Sequence, residues 1–294
     1  LCPRVIKNVV DLISLLMKEL RYLLVFSLIL IFFAPESFAQ FRYGYFKAGV
    51  SAGSTNYLGD LDDDFTFRFT RMGFGAHASF RFNPFMTARL EYFRGSASAS
   101  DSVSRNVPRN RRDLHFRTPI TEMGLQFTFD FLPTDRNYAF RPPYTPYVFA
   151  GISIFQFNPQ AQLGGRWYDL QPLGTEGQWL AGAGDNYPEP YKLTQVSIPM
   201  GAGVRIALAP RWDLEIETGF RKTFTDYLDD VSSDYPDKQE MRAQMGEVAS
   251  ILSDPSDAAP INGIRGDDTQ ADWYIYTNAK LSFIIDWVKC PTFR

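Results

Sequence analysis

The sequence predicts an all-β chain, an eight-stranded up-and-down antiparallel transmembrane β-barrel with long extracellular loops. Three observations carry that prediction. From Phe41 onward apolar and polar residues alternate in run after run; past the amino-terminal segment no stretch approaches the ~20 apolar residues of a helical span; short and long connections alternate between the runs. The segment Trp212-Asp213-Leu214-Glu215-Ile216-Glu217-Thr218-Gly219-Phe220-Arg221 puts Trp, Leu, Ile, Thr and Phe on one face and Asp, Glu, Glu, Gly and Arg on the other. That period of two belongs to a strand with unlike faces. Behind a secretion signal, such faces fit lipid outside and a polar lumen inside.

The signal lies at residues 17–39. Met17-Lys18 opens a basic stretch that includes Arg21, an apolar run extends from Leu23 to Phe33, and Pro35 precedes the small-x-small ending Ser37-Phe38-Ala39. This is the n-region, h-region and cleavage pattern of a secretory signal peptide, cleaved after Ala39. Residues 1–16 precede Met17 and read as an over-extended start; residues 40–294 form the barrel. Cys2 lies before the signal, so only Cys290 survives maturation. A lone thiol makes no internal disulfide, and Gln40 follows the cleavage site where a lipoprotein would carry cysteine. A net charge of -3 gives no reason to expect a nucleic-acid partner. The aromatic content of 16%, with 26 Phe and 15 Tyr, matches the two girdles a membrane barrel needs.

The strands follow in order near residues 45–53, 72–82, 85–94, 116–131, 146–157, 193–209, 212–224 and 273–285. Asn83-Pro84 and Pro210-Arg211 are tight turns, and Pro133 to Thr145 is a moderate link. Ser54–Arg71, Gly95–His115, Asn158–Lys192 and Thr225–Asp272 are long. An up-and-down barrel has this alternation, short turns in the periplasm and long loops outside, and an even strand number puts both termini on the periplasmic side. The last loop exceeds an ordinary connection. Within it Met241, Met245, Val248 and Ile251 recur at helical spacing, predicting one short amphipathic helix over 237–251.

Face assignment fills the lumen with both signs. Arg81, Arg89, Arg205, Arg221 and Lys280 point inward with Glu91, Glu122, Asp130, Asp213, Glu215 and Glu217, while Phe74, Leu90, Met123, Leu125, Phe127 and Phe129 point to lipid. An eight-stranded barrel is only wide enough for its own side chains, and buried charges persist when paired. A filled barrel is expected, not a porin. Gly201 and Gly203 leave room for bulky neighbours inside it.

Candidate chemistry is sparse. His77 and Ser79 share one strand face, as in some outer-membrane lipid hydrolases, yet no orienting group or oxyanion donor accompanies them. Asp60-Leu61-Asp62-Asp63-Asp64 and Asp226-Tyr227-Leu228-Asp229-Asp230 cluster carboxylates without the ligand spacing of a calcium loop. No metal or cofactor is expected. Arg265-Gly266-Asp267 matches an integrin tripeptide of the kind chance supplies.

Several loop segments are more specific. Pro146 to Ile152, Phe157-Asn158-Pro159, the run Leu170-Gln171-Pro172-Leu173-Gly174-Thr175-Glu176-Gly177-Gln178, and Arg221 to Ser232 with Asp226, Tyr227, Asp229 and Asp230 resemble the PorG family. So do Asn56 to Leu61, Ile198 to Gly203, and Arg265-Gly266-Asp267 beside Asp272-Trp273-Tyr274. PorG proteins are outer-membrane barrels of the type IX secretion system of Bacteroidetes. The resemblance implies a non-enzymatic part that ties the periplasmic ring of PorK lipoprotein and PorN to the outer membrane, in protein export and, in gliding species, adhesin display. On barrel geometry, a periplasmic partner meets the short turns or the chain ends, so Arg136, Arg141 and Arg211 are the expected docking residues. A small-solute channel and a lipid-modifying barrel enzyme are the other readings of the fold.

Overall fold

The computed structural model describes residues 44–61, 67–103, 110, 112–134, 138–180, 187–257, 263–267 and 269–285. The expected signal segment, Arg136, Asp62 to Asp64 and Cys290 lie outside them. Ten strands form one antiparallel sheet: β1 (Tyr45–Leu58), β2 (Arg71–Arg81), β3 (Met86–Ser100), β4 (His115–Asp130), β5 (Tyr144–Phe157), β6 (Gln160–Leu163), β7 (Arg166–Asp169), β8 (Thr194–Ala209), β9 (Trp212–Thr223) and β10 (Trp273–Ile285). Eight of them close on themselves in the order β3-β2-β1-β10-β9-β8-β5-β4, with β4 returning to pair with β3. The first and last strands form the seam, in register from Phe46 opposite Ile285 to Leu58 opposite Trp273.

Side-chain parity decides which solvent each face meets. On β4, Glu122 is 1% exposed and its neighbour Met123 is 56% exposed. The same alternation leaves Val50, Phe74, Leu90, Leu125, Phe127, Ile152, Ile216 and Phe220 exposed outside, while the charged partners on the same strands are buried inside. A girdle of this kind is what an outer-membrane barrel presents to hydrocarbon.

The short turns have local causes. Asn83 Oδ1 accepts from the backbone N–H groups of Phe85 (2.8 Å) and Met86 (2.7 Å), so the asparagine side chain itself bends the β2–β3 turn. Pro210 and Arg211 join β8 to β9 after a register shift between Ala207 and Ala209. Both short turns, residues 131–134 and 138–143, the start of β1 and the end of β10 occupy one rim. Gly201, Gly203 and Gly219 make the expected space. A Cβ at Gly203 would stand 2.8 Å from the Tyr147 ring, and one at Gly201 or Gly219 would stand 2.8 Å from Phe149.

The other rim is larger than the alternation alone predicts. β1 runs five residues beyond its expected end and β3 runs to Ser100, because their extensions pair with β10 and β4. The Asn158–Lys192 connection, expected as a loop, contains the β6–β7 hairpin, which attaches to β4 at Arg117 opposite Gln160. The helix expected over 237–251 is two: α1 (Lys238–Met245) and α2 (Glu247–Ser253). Gly246, at φ 92° and ψ 174°, breaks them. Asp237 caps α1 by accepting from Gln239 and Glu240 N–H.

Candidate functional site: a filled lumen under a polar cap

The lumen is a neutralised lattice of ion pairs. Lys47 Nζ reaches Glu215 at 2.8 Å and Asp213 at 3.4 Å. Arg89 Nη1 lies 2.9 Å from Glu217 and Lys280 Nζ lies 2.9 Å from the same carboxylate. Arg205 joins Glu215 (2.8 Å) to Asp130 (2.6 Å), and Arg81 pairs with Asp130 from the other side. Arg221 is held less tightly, 3.6 Å from Glu122, which also accepts from the Tyr274 hydroxyl. Each inward-facing charge expected from the sequence is buried here, and two further cations join them: Lys47, which the face assignment passes over, and Arg141, expected on the docking face. Lys47 sits in a strand whose small residues dilute the alternation, and Arg141 comes from a link rather than a strand. Charges this deeply buried persist because each has a counter-charge no farther than 3.6 Å away.

His77 and Ser79 both face this lattice, but His77 Nε2 lies 2.9 Å from Ser282 Oγ on the far side of β1. The polar network has absorbed the histidine, and the barrel interior is built for mutual neutralisation, not for nucleophilic chemistry. The fold is that of a small closed antiparallel β-barrel with an apolar outer face.

At the short-turn rim Arg141 closes the lattice. Its guanidinium donates to the carbonyls of Tyr138 (2.7 Å), Ala209 (2.7 Å), Pro210 (2.9 Å) and Trp212 (3.2 Å) and to Asp213 (2.8 Å). The side chain thus ties the 131–143 link to the β8–β9 turn instead of facing solvent. Arg211 is exposed on that turn.

Above the lattice lies an aromatic layer. Phe93, Phe116, Phe155, Phe157, Tyr57, Tyr274 and Tyr276 are all buried in one cluster. Tyr191 stacks between Phe157 and Tyr227, at 6.2 and 4.5 Å.

The family-like loops meet over this layer. Arg265 is their shared cation. It is 2% exposed, donates to Glu176 at 2.8 Å and to the Asp230 carbonyl, and lies 3.8 Å from the Asp230 carboxylate. Glu176 also accepts from the N–H groups of Ser232 (2.9 Å) and Ser233 (3.1 Å). Asp230 accepts from Thr175 Oγ1 and, at 2.5 Å, from the Tyr191 hydroxyl. Gln178 Oε1 accepts from Glu176 N–H, and Gln171 reaches the Tyr191 carbonyl. Pro172 is exposed in the 171–173 turn of 3₁₀ helix. Thr175, Glu176, Gln178, Asp229 and Asp230 are therefore buried scaffold of the cap, with Tyr227 packed against Tyr191. Arg265, read from sequence only as part of a tripeptide, is their electrostatic centre, and its burial removes it from any integrin-type contact.

A second acidic group joins cap to barrel. The Tyr57 hydroxyl lies 2.6 Å from Asp229 Oδ2 and 2.6 Å from Asp272 Oδ1. Their remaining oxygens accept from Val231 and Leu228 N–H, each at 2.9 Å. Burial pushes Asp272 up to about 8, and burial with the Asp272 charge raises Asp229 well above the carboxylate range. Asp226 is pushed up to about 9 by burial and then by Asp272. Burial raises Asp230 to about 6, with Arg265 opposing the rise. Among the described residues no group of three or more His, Cys, Asp or Glu side chains has the geometry to hold a metal ion.

The family described as domain of unknown function (DUF6089) matches residues 22–168. No curated protein matches the chain. Among solved structures, the chain is similar to Neisserial surface protein A, at 12% identity and TM-score 0.39, over 82% of this chain and 96% of that one. The amino-terminal barrel domain of Pseudomonas aeruginosa OprF is 9% identical, with TM-score 0.34, over 81% and 97%. Ail, the attachment invasion locus protein of Yersinia pestis, is 7% identical, with TM-score 0.36, over 82% and 97%.

Proposed function

The chain belongs to the DUF6089 family, and from that premise we propose that it is a PorG-like outer-membrane component of the type IX secretion system that ties the periplasmic PorK/PorN ring to the membrane. The long-loop rim then faces the cell exterior, and both chain ends and the short turns face the periplasm. The observation that carries the reading is the closure of the barrel at both ends. A lumen locked by reciprocal ion pairs, tied by Arg141 below and roofed by the Arg265 cap above, suits a rigid anchor better than a conduit. Sequence likeness in the loops supplies the identity of the partner.

Arg141 enters this proposal as a residue that shapes the docking face, and Arg211 as one that touches the partner. The test is affinity capture from detergent-solubilised outer membranes, with a tag in the outer cap near Asp254. Recovery of PorK and PorN with the unaltered barrel, and their loss with Arg211→Glu, is the expected result. Capture of the barrel alone in both cases would overturn the anchoring role.

A further inference from the structure

A cleft of about 570 Å³ opens on the outer wall of the barrel at the long-loop rim. Its floor is a single rung, with Leu58, Trp273 and Lys222 in register across β1, β10 and β9. All three lie on the outward faces of their strands, the faces that carry Val50, Leu281 and Phe220 nearer the membrane centre. Lys222 Nζ stands 5.8 Å from the centre of the Trp273 ring. The wall rises from Asp60, Thr269 and Gln270. It is stitched down, because Asp60 Oδ2 accepts from Asp267 N–H at 2.8 Å and Asp267 accepts from the Thr269 N–H at 3.1 Å.

We propose that this cleft binds a sugar ring of a glycolipid headgroup in the outer leaflet. An indole face carries partial negative charge and receives the C–H face of a pyranose. Sugar hydroxyls both donate and accept; around Trp273 the carboxylates of Asp60 and Asp267 accept, while the Thr269 hydroxyl and Gln270 amide can do both. The volume falls in the range of small-molecule sites, about 300–1,000 Å³. Lys222 is the one cation in a lining that also holds the carboxylates of Asp60 and Asp267, so the site is matched to hydroxyl groups rather than to a bare phosphate. A tryptophan of an ordinary interfacial girdle lies open to the headgroups, whereas Trp273 has a wall over it. In the next outward-facing rung Phe220 is exposed and its partner Ile275 is buried; in the orientation proposed above, that puts the cleft where acyl chains meet a headgroup. The outer-leaflet placement rests on the orientation proposed above; the sugar chemistry does not.

Two probes test the assignment on the full chain folded in lipid nanodiscs: intact outer-membrane glycolipid, read by native mass spectrometry, and the core oligosaccharide released from it by mild acid, read by saturation-transfer NMR. Trp273→Ala is expected to weaken binding at least about tenfold, with Trp273→Phe retaining most of it. A heat-shifted band on electrophoresis checks that each variant remains folded. Glycolipid binding without oligosaccharide binding assigns the site to the membrane-anchored sugar, and binding of both extends it to free glycans. Failure of both probes, or equal binding by Trp273→Ala, overturns the proposal. Labelling of a cap cysteine in whole cells reads the orientation separately, so an inverted barrel would leave an intact sugar site without an outer leaflet to serve it.

Discussion

Asp229 and Asp272 share a single phenolic hydrogen, since the Tyr57 hydroxyl stands 2.6 Å from an oxygen of each. One hydrogen cannot serve two acceptors, so the second short contact is satisfied by a proton on the carboxyl pair. With Asp272 raised to about 8 and Asp229 raised as well, the folded cap keeps that proton at neutral pH.

The consequence is an inverted pH dependence. The folded carboxyls bind protons that the unfolded chain has released above pH ~4, so the stability of the cap is fully present below that value. It declines as pH rises toward about 8, by up to tenfold in the closed-to-open ratio per pH unit for each proton. Amide exchange at Leu228 and Val231 is expected to quicken between pH 5 and 8, and Asp272→Asn to flatten the profile. Exchange that slows with rising pH, after correction for intrinsic rates, would contradict it.

Removing Arg265 leaves Glu176 and Asp230 buried without their cation. Arg265→Ala is expected to cost the cap about 3–5 kcal/mol and to open the 225–272 connection to protease. The barrel is expected to keep its heat-shifted electrophoretic band, because the strands retain their own ladder and the lumenal ion pairs. Loss of the band would mean that cap and barrel fold as one unit.

In the lumen, Arg89→Leu removes one of the two cations that hold Glu217, leaving Lys280 at 2.9 Å to carry it alone, and also withdraws the guanidinium from Glu91 and Glu215. A loss of about 3–5 kcal/mol is expected in urea unfolding from liposomes. Pairing it with Glu217→Leu should recover much of that loss, since one charge of each sign is then removed and Lys280 still pairs with Glu91. An additive double variant would argue against the coupling.

Arg141→Ala withdraws the donor from the carbonyls of Ala209, Pro210 and Trp212. Faster exchange of the amides around the β8–β9 turn is expected. Any fall in ring capture should track this loosening, while Arg211→Glu should weaken capture with the turn's exchange unchanged.

The barrel was legible in the sequence because its strands obey one rule over long distances. β9 alternates from Trp212 onward, and its inward Asp213, Glu215 and Glu217 are where parity puts them. The cap was not, because nothing periodic marks Arg265: its role exists only once segments near residues 176, 230 and 265 meet. The β6–β7 hairpin did carry a signal. Gly164 and Gly165, at φ 58° and 82°, are the paired glycines of a two-residue turn, but four polar-rich residues on either side made a weak alternation. Gly246 was visible too, yet the methionine and aliphatic spacing bridged it and suggested one helix where there are two.

The seam between β1 and β10 sets the order of biogenesis. Every other barrel pair joins strands that leave the ribosome together or nearly so, whereas Phe46 must wait for Ile285. Until the last strand arrives, β1 and β9 each carry an unpaired edge that hydrocarbon will not tolerate. A chain truncated before Trp273 would leave both edges open, and it is expected to be degraded rather than assembled.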